Sequence, residues 1–231
     1  MPMIGVFDSG EGGENAVRHI RAFAPDADIM LFADRENSPY GTKRRDELVR
    51  LTEAGIERLA KAGCERILIA CCTASTVHGE IERELSEVSL PIIAPTAREA
   101  ERITRSGKIA LLATDATVQS HAFSALLGRA CPEIAASPLV CAIERGERDG
   151  HLSEACAKYL DALLSPIADT DSDTVILGCT HFVCLRREIE SRLQKLTKRK
   201  IYTVDSSEVA ARYILDIWPR ARIGEGRLQR L

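Results

Sequence analysis

Seven short aliphatic runs, separated by longer stretches of helical apolar period, constrain this chain more than any other feature. The runs fall at residues 3–7, 29–33, 66–70, 90–94, 108–113, 174–177 and 200–204, and each is followed by a polar or glycine-containing turn. Runs this short and this continuously apolar read as strands buried on both faces, which is the pattern of a parallel sheet covered by helices. Helices are expected at 13–23, 44–61, 75–85, 96–105, 118–127, 153–164, 185–193 and 207–217. Pro95 and the stretch 197–200 are plausible crossing points between two lobes. The expected fold is therefore α/β: two similar lobes, each a mostly parallel sheet flanked by helices, with the active site in the cleft between them. The first lobe is expected to comprise residues 1–95 plus 204–231 and the second residues 96–203.

Length and charge narrow the class. A chain of 231 residues is long enough to bury a real core as one large or two small domains. Its 31 Lys plus Arg against 34 Asp plus Glu leave a net charge of -3, so there is no basic footprint for nucleic acid and no polybasic patch for a membrane. No apolar run reaches 18 residues, and the first residues enter a strand-like segment without the charged and apolar regions of a signal peptide. A cytoplasmic location is expected. The eight cysteines are then small buried hydrophobes rather than a disulfide framework, except where a strand ends and a helix begins, since there a thiol reaches a cleft.

Two such places echo one another. Ile67 to Thr73 (ILIACCT) and Val175 to His181 (VILGCTH) are each an aliphatic strand followed by a small residue, a cysteine and a threonine. Two similar lobes would then each present a thiol at a strand's carboxyl end, where open α/β sheets bind their ligands. At the first, Cys71 and Cys72 precede Thr73 and Ser75, whose default role is capping. A thiol at a helix N-terminus beside a proton acceptor becomes a usable base or nucleophile. At the second, His181 stands two residues beyond Cys179, placed to tune a thiol near neutral pH. Cys179, His181 and Cys184 are also soft metal ligands, but they lack the paired knuckles of zinc sites.

A third corner, Asp8-Ser9-Gly10-Glu11-Gly12-Gly13, follows the first strand and matches neither a P-loop nor a dinucleotide fingerprint. Asp8 is either a helix cap or an acid, base or orienting group. The corners Thr114 to Thr117 and Asp205 to Ser207 ordinarily read as caps, and His19, His78, His121 and His151 are expected to have no partner. One activated cysteine suits a hydrolase or transferase with a covalent intermediate. Two facing each other suit racemisation, in which one takes a proton from a tetrahedral carbon and the other returns one from the opposite face. Nothing looks like a pyridoxal-phosphate lysine, so no cofactor is expected and the carbanion must be stabilised electrostatically.

Across nearly its whole length the sequence resembles the glutamate racemases of the aspartate/glutamate racemase superfamily. The matching segments are IGVFDSGxGG (Ile4 to Gly13), PYGTK (Pro39 to Lys43), ILIACxTAS (Ile67 to Ser75), ATxxTVxS (Ala113 to Ser120), LGCTHF (Leu177 to Phe182) and VDS (Val204 to Ser206), in the family's order. The resemblance implies cofactor-independent interconversion of L- and D-glutamate, with D-glutamate going to peptidoglycan. It implies Cys71 as the base for the D enantiomer and Cys179 for the L enantiomer, with Asp8 assisting Cys71 and His181 assisting Cys179. Glu144 resembles a family glutamate near the second cysteine. Asp8, Ser9, Tyr40, Gly41, Cys72, Thr73, Thr117, Thr180 and His181 are implied to line the substrate site.

Two features depart from the family pattern. Cys72 stands where the family has asparagine, replacing an amide by a weakly polar thiol. Residue 231 also comes soon after the last expected helix, where family members continue with a segment that packs on the first lobe. The competing readings are an aspartate or other acidic amino-acid racemase or isomerase, a non-catalytic binder of acidic amino acids, and a thiol hydrolase. The partner expected is the small-molecule substrate, with neither nucleic acid nor membrane, and a homodimer is the one assembly entertained.

Overall fold

The computed structural model describes residues 2–231. Its strands are β1 (Met3–Asp8), β2 (Asp28–Ala33), β3 (Arg66–Ile69), β4 (Ser89–Pro91), β5 (Ile109–Ala113), β6 (Glu133–Ala135), β7 (Thr174–Gly178), β8 (Tyr202–Asp205) and β9 (Leu228–Arg230). They form a five-stranded sheet of order β4-β3-β1-β2-β9 and a four-stranded sheet of order β6-β5-β7-β8. Every pairing in both is parallel. The helices are α1 (Gly13–Phe23), α2 (Arg45–Lys61), α3 (Cys72–Ser75), α4 (Arg83–Val88), α5 (Ile93–Ile103), α6 (Asp115–Gln119), α7 (Ala122–Leu126), α8 (Ser137–Glu144), α9 (Glu154–Ala168), α10 (Arg186–Thr197) and α11 (Ser206–Ile217). The expected α/β class with two parallel sheets is the fold adopted.

Strands covered on both faces need apolar side chains through their middle, and β1, β3, β5 and β7 have them: Val6, Ile69, Leu111 and Leu177 are fully buried. Three apolar clusters follow. One, with Ile56 and Leu59 of α2, covers the outer face of the first sheet. A second, with Leu160, Leu164 and Leu193 of α9 and α10, covers the outer face of the second. The third joins the sheets: Val17 and Ile20 of α1, Ala97 and Ala100 of α5, and Ile214 and Leu215 of α11 meet Val6 of one sheet and Leu111 of the other. The lobes thus share a core and do not merely abut.

Some elements differ from expectation. The helix expected over 75–85 does not form as one element: α3 ends at Ser75, turns follow, and α4 starts only at Arg83; Thr76 bonds back through its hydroxyl to the Thr73 carbonyl (2.7 Å), and Gly79 follows. The helix expected over 118–127 breaks into α6 and α7 at His121, which adopts left-handed φ (51°). Ser120 holds that break, donating to the Thr117 carbonyl and accepting from the Ala122 N–H. The strand expected at 90–94 ends at Pro91, and Pro95 lies in the first turn of α5, where a missing N–H costs no hydrogen bond. β6, α8 and β9 had no counterpart in the expectation. β9 brings the chain after α11 back to the first sheet beside β2, fastened by Arg227 on the buried Asp28 (2.8 Å) and Arg230 on Glu14 (3.0 Å). Three histidines expected to lack partners have them: His19 with Asp205 (3.3 Å), His78 with Ser89 (3.1 Å) and His121 with Glu133 (2.8 Å).

Candidate active site

The carboxyl ends of β1, β3 and β7 deliver the three corners singled out in the sequence. β3 ends just before Cys71, whose Sγ caps α3 by accepting from the Ala74 N–H (3.5 Å) and lies 3.3 Å from the Ser9 hydroxyl. β7 ends at Gly178, and the Cys179 Sγ that follows is 3.8 Å from His181 Nδ1. β1 ends at Asp8, which is fully buried; its carboxylate accepts from the Gly10 N–H (2.9 Å) and, across the two lobes, from the Thr180 hydroxyl (3.2 Å). Close approach makes this possible. A Cβ at Gly12 would overlap the Thr180 side chain, so only glycine lets the β1 corner sit against the β7 corner.

Both thiols border one small cavity of about 20 Å³. At roughly 10–15 Å³ per water, this is room for one water or two and not for an amino acid. Hydroxyls from Ser9, Ser38, Tyr40, Thr73, Thr114 and Thr180 surround it, and among the described residues no Lys or Arg lines it. Tyr40 is held by its phenol donating to Asp34 (2.7 Å), which also accepts from Asn37 (3.0 Å). The Thr73, Thr114 and Thr117 hydroxyls form a triangle, with separations of 2.8, 3.1 and 2.9 Å. A larger groove, of about 470 Å³, runs along α5 and α11; it contains no thiol, and much of its charge is paired internally, as in Arg102–Glu99 and Arg212–Glu208.

The electrostatics of the cavity follow from burial. Desolvation pushes the Asp8 carboxyl up to about 6, although His181, the Gly10 N–H and the Thr180 hydroxyl pull the other way. Burial, and then the Asp8 charge, push the Cys71 thiol up to about 11 against the Ser9 and Ala74 hydrogen bonds. Burial raises Cys179 well above an ordinary thiol. In the resting site both sulfurs are therefore protonated near neutral pH. Desolvation together with the Asp34 carboxylate raises the Tyr40 phenol, keeping it a hydrogen-bond donor.

The sequence-derived residues fall into distinct places. Ser9, Tyr40, Gly41, Cys71, Cys72, Thr73, Cys179, Thr180 and His181 border the cavity. Asp8 lies behind Ser9, Thr117 lies behind Thr73, and Glu144 ends α8 with Oε1 3.3 Å from His181 Nε2, though not in hydrogen-bond geometry. Cys72 turns its Sγ to Ser206, at 3.6 Å. Ser38, Asp34, Val140 and Asn15 were missed as site residues. Asn15 donates to the Thr180 carbonyl (2.8 Å) and so holds the second corner from α1. Asp34 follows the carboxyl end of β2, so the strand-end reasoning applied to Asp8 was the available signal.

A family model described as Asp/Glu/hydantoin racemase matches residues 14–214. The chain belongs to the Asp/Glu/hydantoin racemase family. It is 31% identical to a glutamate racemase from Geobacter metallireducens over 93% of this chain and 79% of that relative. With a glutamate racemase from Desulforudis audaxviator it shares 38% identity over 81% of this chain and 70% of the other. The crystal structure of a glutamate racemase isoform from Bacillus anthracis superposes with a TM-score of 0.86 at 25% identity, covering 99% of this chain and 86% of that one. The two parallel sheets flanked by helices are thus the family's two-lobe fold. Among the described residues no helix is long and apolar enough to cross a membrane.

Proposed function

We propose that this chain is a glutamate racemase that works without a cofactor, by two thiols acting on opposite faces of the α-carbon. The observation that carries the reading is the pair of buried cysteines, one from the end of each sheet, bordering a single cavity. Asp8 stands beside the first, and His181 lies 3.8 Å from the second. In one direction the Cys71 thiolate takes the α-proton of D-glutamate, the electron pair passes into the carboxylate, and the Cys179 thiol delivers its proton to the opposite face. L-glutamate leaves with Cys71 protonated and Cys179 ionised, the state needed for the reverse reaction. To repeat the same direction, the site must exchange one proton at each sulfur, and Asp8 and His181 are placed to carry them.

The raised thiols demand a source of positive charge, and no cation of the protein lines the cavity. The α-ammonium of the substrate supplies it, so thiolate forms when an amino acid is bound, within a dry site where electrostatic interactions are strong. The hydroxyls of Ser9 and Thr73 are the proposed donors to the substrate carboxylates, since Tyr40 and Thr180 give their hydroxyl hydrogens to Asp34 and Asp8, with Glu144 orienting His181. An acidic amino acid supplying peptidoglycan from the cytoplasm is the role this reading implies.

Proton NMR in deuterated water tests it, with purified protein incubated separately with L-glutamate and L-aspartate. Loss of the α-proton signal together with optical rotation for glutamate is expected. Exchange with aspartate alone would overturn the substrate assignment, and no exchange with either would overturn the enzyme reading.

A further inference from the structure

Three consecutive residues of one corner reach three different places. Cys71 is bonded to Ser9 in its own lobe, whereas Thr73 is bonded to Thr114 and Thr117 at the β5–α6 corner of the other. Between them Cys72, only 1% exposed, points its sulfur 3.6 Å from the Ser206 Oγ at the β8–α11 corner. Ser206 has a single hydroxyl hydrogen and gives it to the Leu177 carbonyl (3.1 Å), so its oxygen accepts from Cys72 and the thiol must be the donor. Leu177 lies two residues before Cys179. The chain Cys72 to Ser206 to Leu177 thus links the peptide carrying one reactive sulfur to the peptide carrying the other.

We infer that Cys72 is a positioning residue: its thiol tethers the Cys71 corner to the strand that bears Cys179, and this tether must part before an amino acid can enter the cavity. The cavity in this closed arrangement has about 20 Å³ of space, too little for any amino acid, so opening precedes binding. A sulfur is a poor donor, which makes this a link that holds the corners in register and releases at small cost. Burial raises the Cys72 thiol, so it stays a neutral donor and does not compete as a base. The inference adds to the proposed racemisation a role for the residue between the first base and Thr73, and it is tested without relying on that activity.

The readout is the rate at which iodoacetamide alkylates each cysteine of the full chain, resolved by peptide mass spectrometry, in wild type, Cys72→Ala, Ser206→Ala and the double variant. Each single change is expected to raise alkylation of Cys179 and Cys71 by roughly two- to five-fold, the population shift of one weak hydrogen bond. The double variant is expected to exceed neither single one, because both remove the same link. Cys64 and Cys156, buried at 6% and 7% exposure outside the cavity, report general loosening and are expected to keep their wild-type rates. Unchanged rates at Cys71 and Cys179, additive effects in the double variant, or an equal rise at Cys64 would each overturn the tether. Loss of racemisation by the wild-type protein would instead strike the proposed function and leave this result standing.

Discussion

Replacing Gly12 by alanine puts a methyl group where the second sheet's corner now stands. The new Cβ would lie 2.6 Å from the Thr180 Cβ and 3.1 Å from His181 Nδ1, whereas ordinary van der Waals contact begins near 3.4 Å. The Thr180 Cβ is fixed to its own backbone and no rotamer change can move it away, so the β7 corner must recede by about 1 Å, a misplacement that can cost roughly 100-fold in rate. The Thr180 hydroxyl already sits at 3.2 Å from Asp8 and would be drawn out of hydrogen-bond range, and Cys179 and His181 would move with it. Overpacking of this kind also costs about 1–3 kcal/mol of stability. The assay is polarimetric racemisation of glutamate by purified variant at a temperature where melting shows it folded. Gly79→Ala is the control, since that position has open space and no positive φ. A Gly12→Ala protein with turnover within three-fold of wild type would refute the claim that the two corners must touch.

Other outcomes follow from the same contacts. The kcat/KM profile should rise with pH through a limb near 6, as Asp8 ionises and can accept a proton, and Asp8→Asn should abolish that limb along with most of the activity. In the folded state Asp8 holds its proton more tightly than in the unfolded chain, where the pKa is 3.8, so ionisation costs stability as pH rises from about 4 to 6. Urea unfolding should show wild type losing about 2 kcal/mol relative to Asp8→Asn over that window. Arg227→Ala strips the guanidinium from the buried Asp28, whose carboxyl is held down at about 2, and should lower stability by about 1–2 kcal/mol at neutral pH. Because that carboxyl is depressed, its contribution is present above pH 4 and lost as pH falls toward 2, where the urea midpoints of variant and wild type should converge.

How far the sequence leads depends on the range of the interaction. β1, β3, β5 and β7 are legible because parallel strands buried on both faces must be apolar through their middle, and the thiol corners follow from where such strands stop. β6 and β9 are three residues long and lie at sheet edges, with exposed or polar side chains such as Gln229 and Arg230, so they carry no apolar run to detect. The break at His121 depends on Ser120 bonding to backbone on either side, which an apolar period does not register. Of the hydroxyls lining the cavity, Ser9, Thr114 and Thr180 are visible as residues just beyond strand ends, whereas Ser38 is not. Nor are Asn15 on Thr180 and Cys72 on Ser206, since partners 165 and 134 residues apart leave no local pattern.

The central claim is that two sulfurs share the work, and assays of Cys71→Ser and Cys179→Ser in both directions test it most directly. Each protein, folded by circular dichroism, should racemise D- and L-glutamate at least ~100-fold more slowly than wild type, because each direction needs one thiol as base and the other as acid. Near-normal turnover by either variant in either direction would contradict the account.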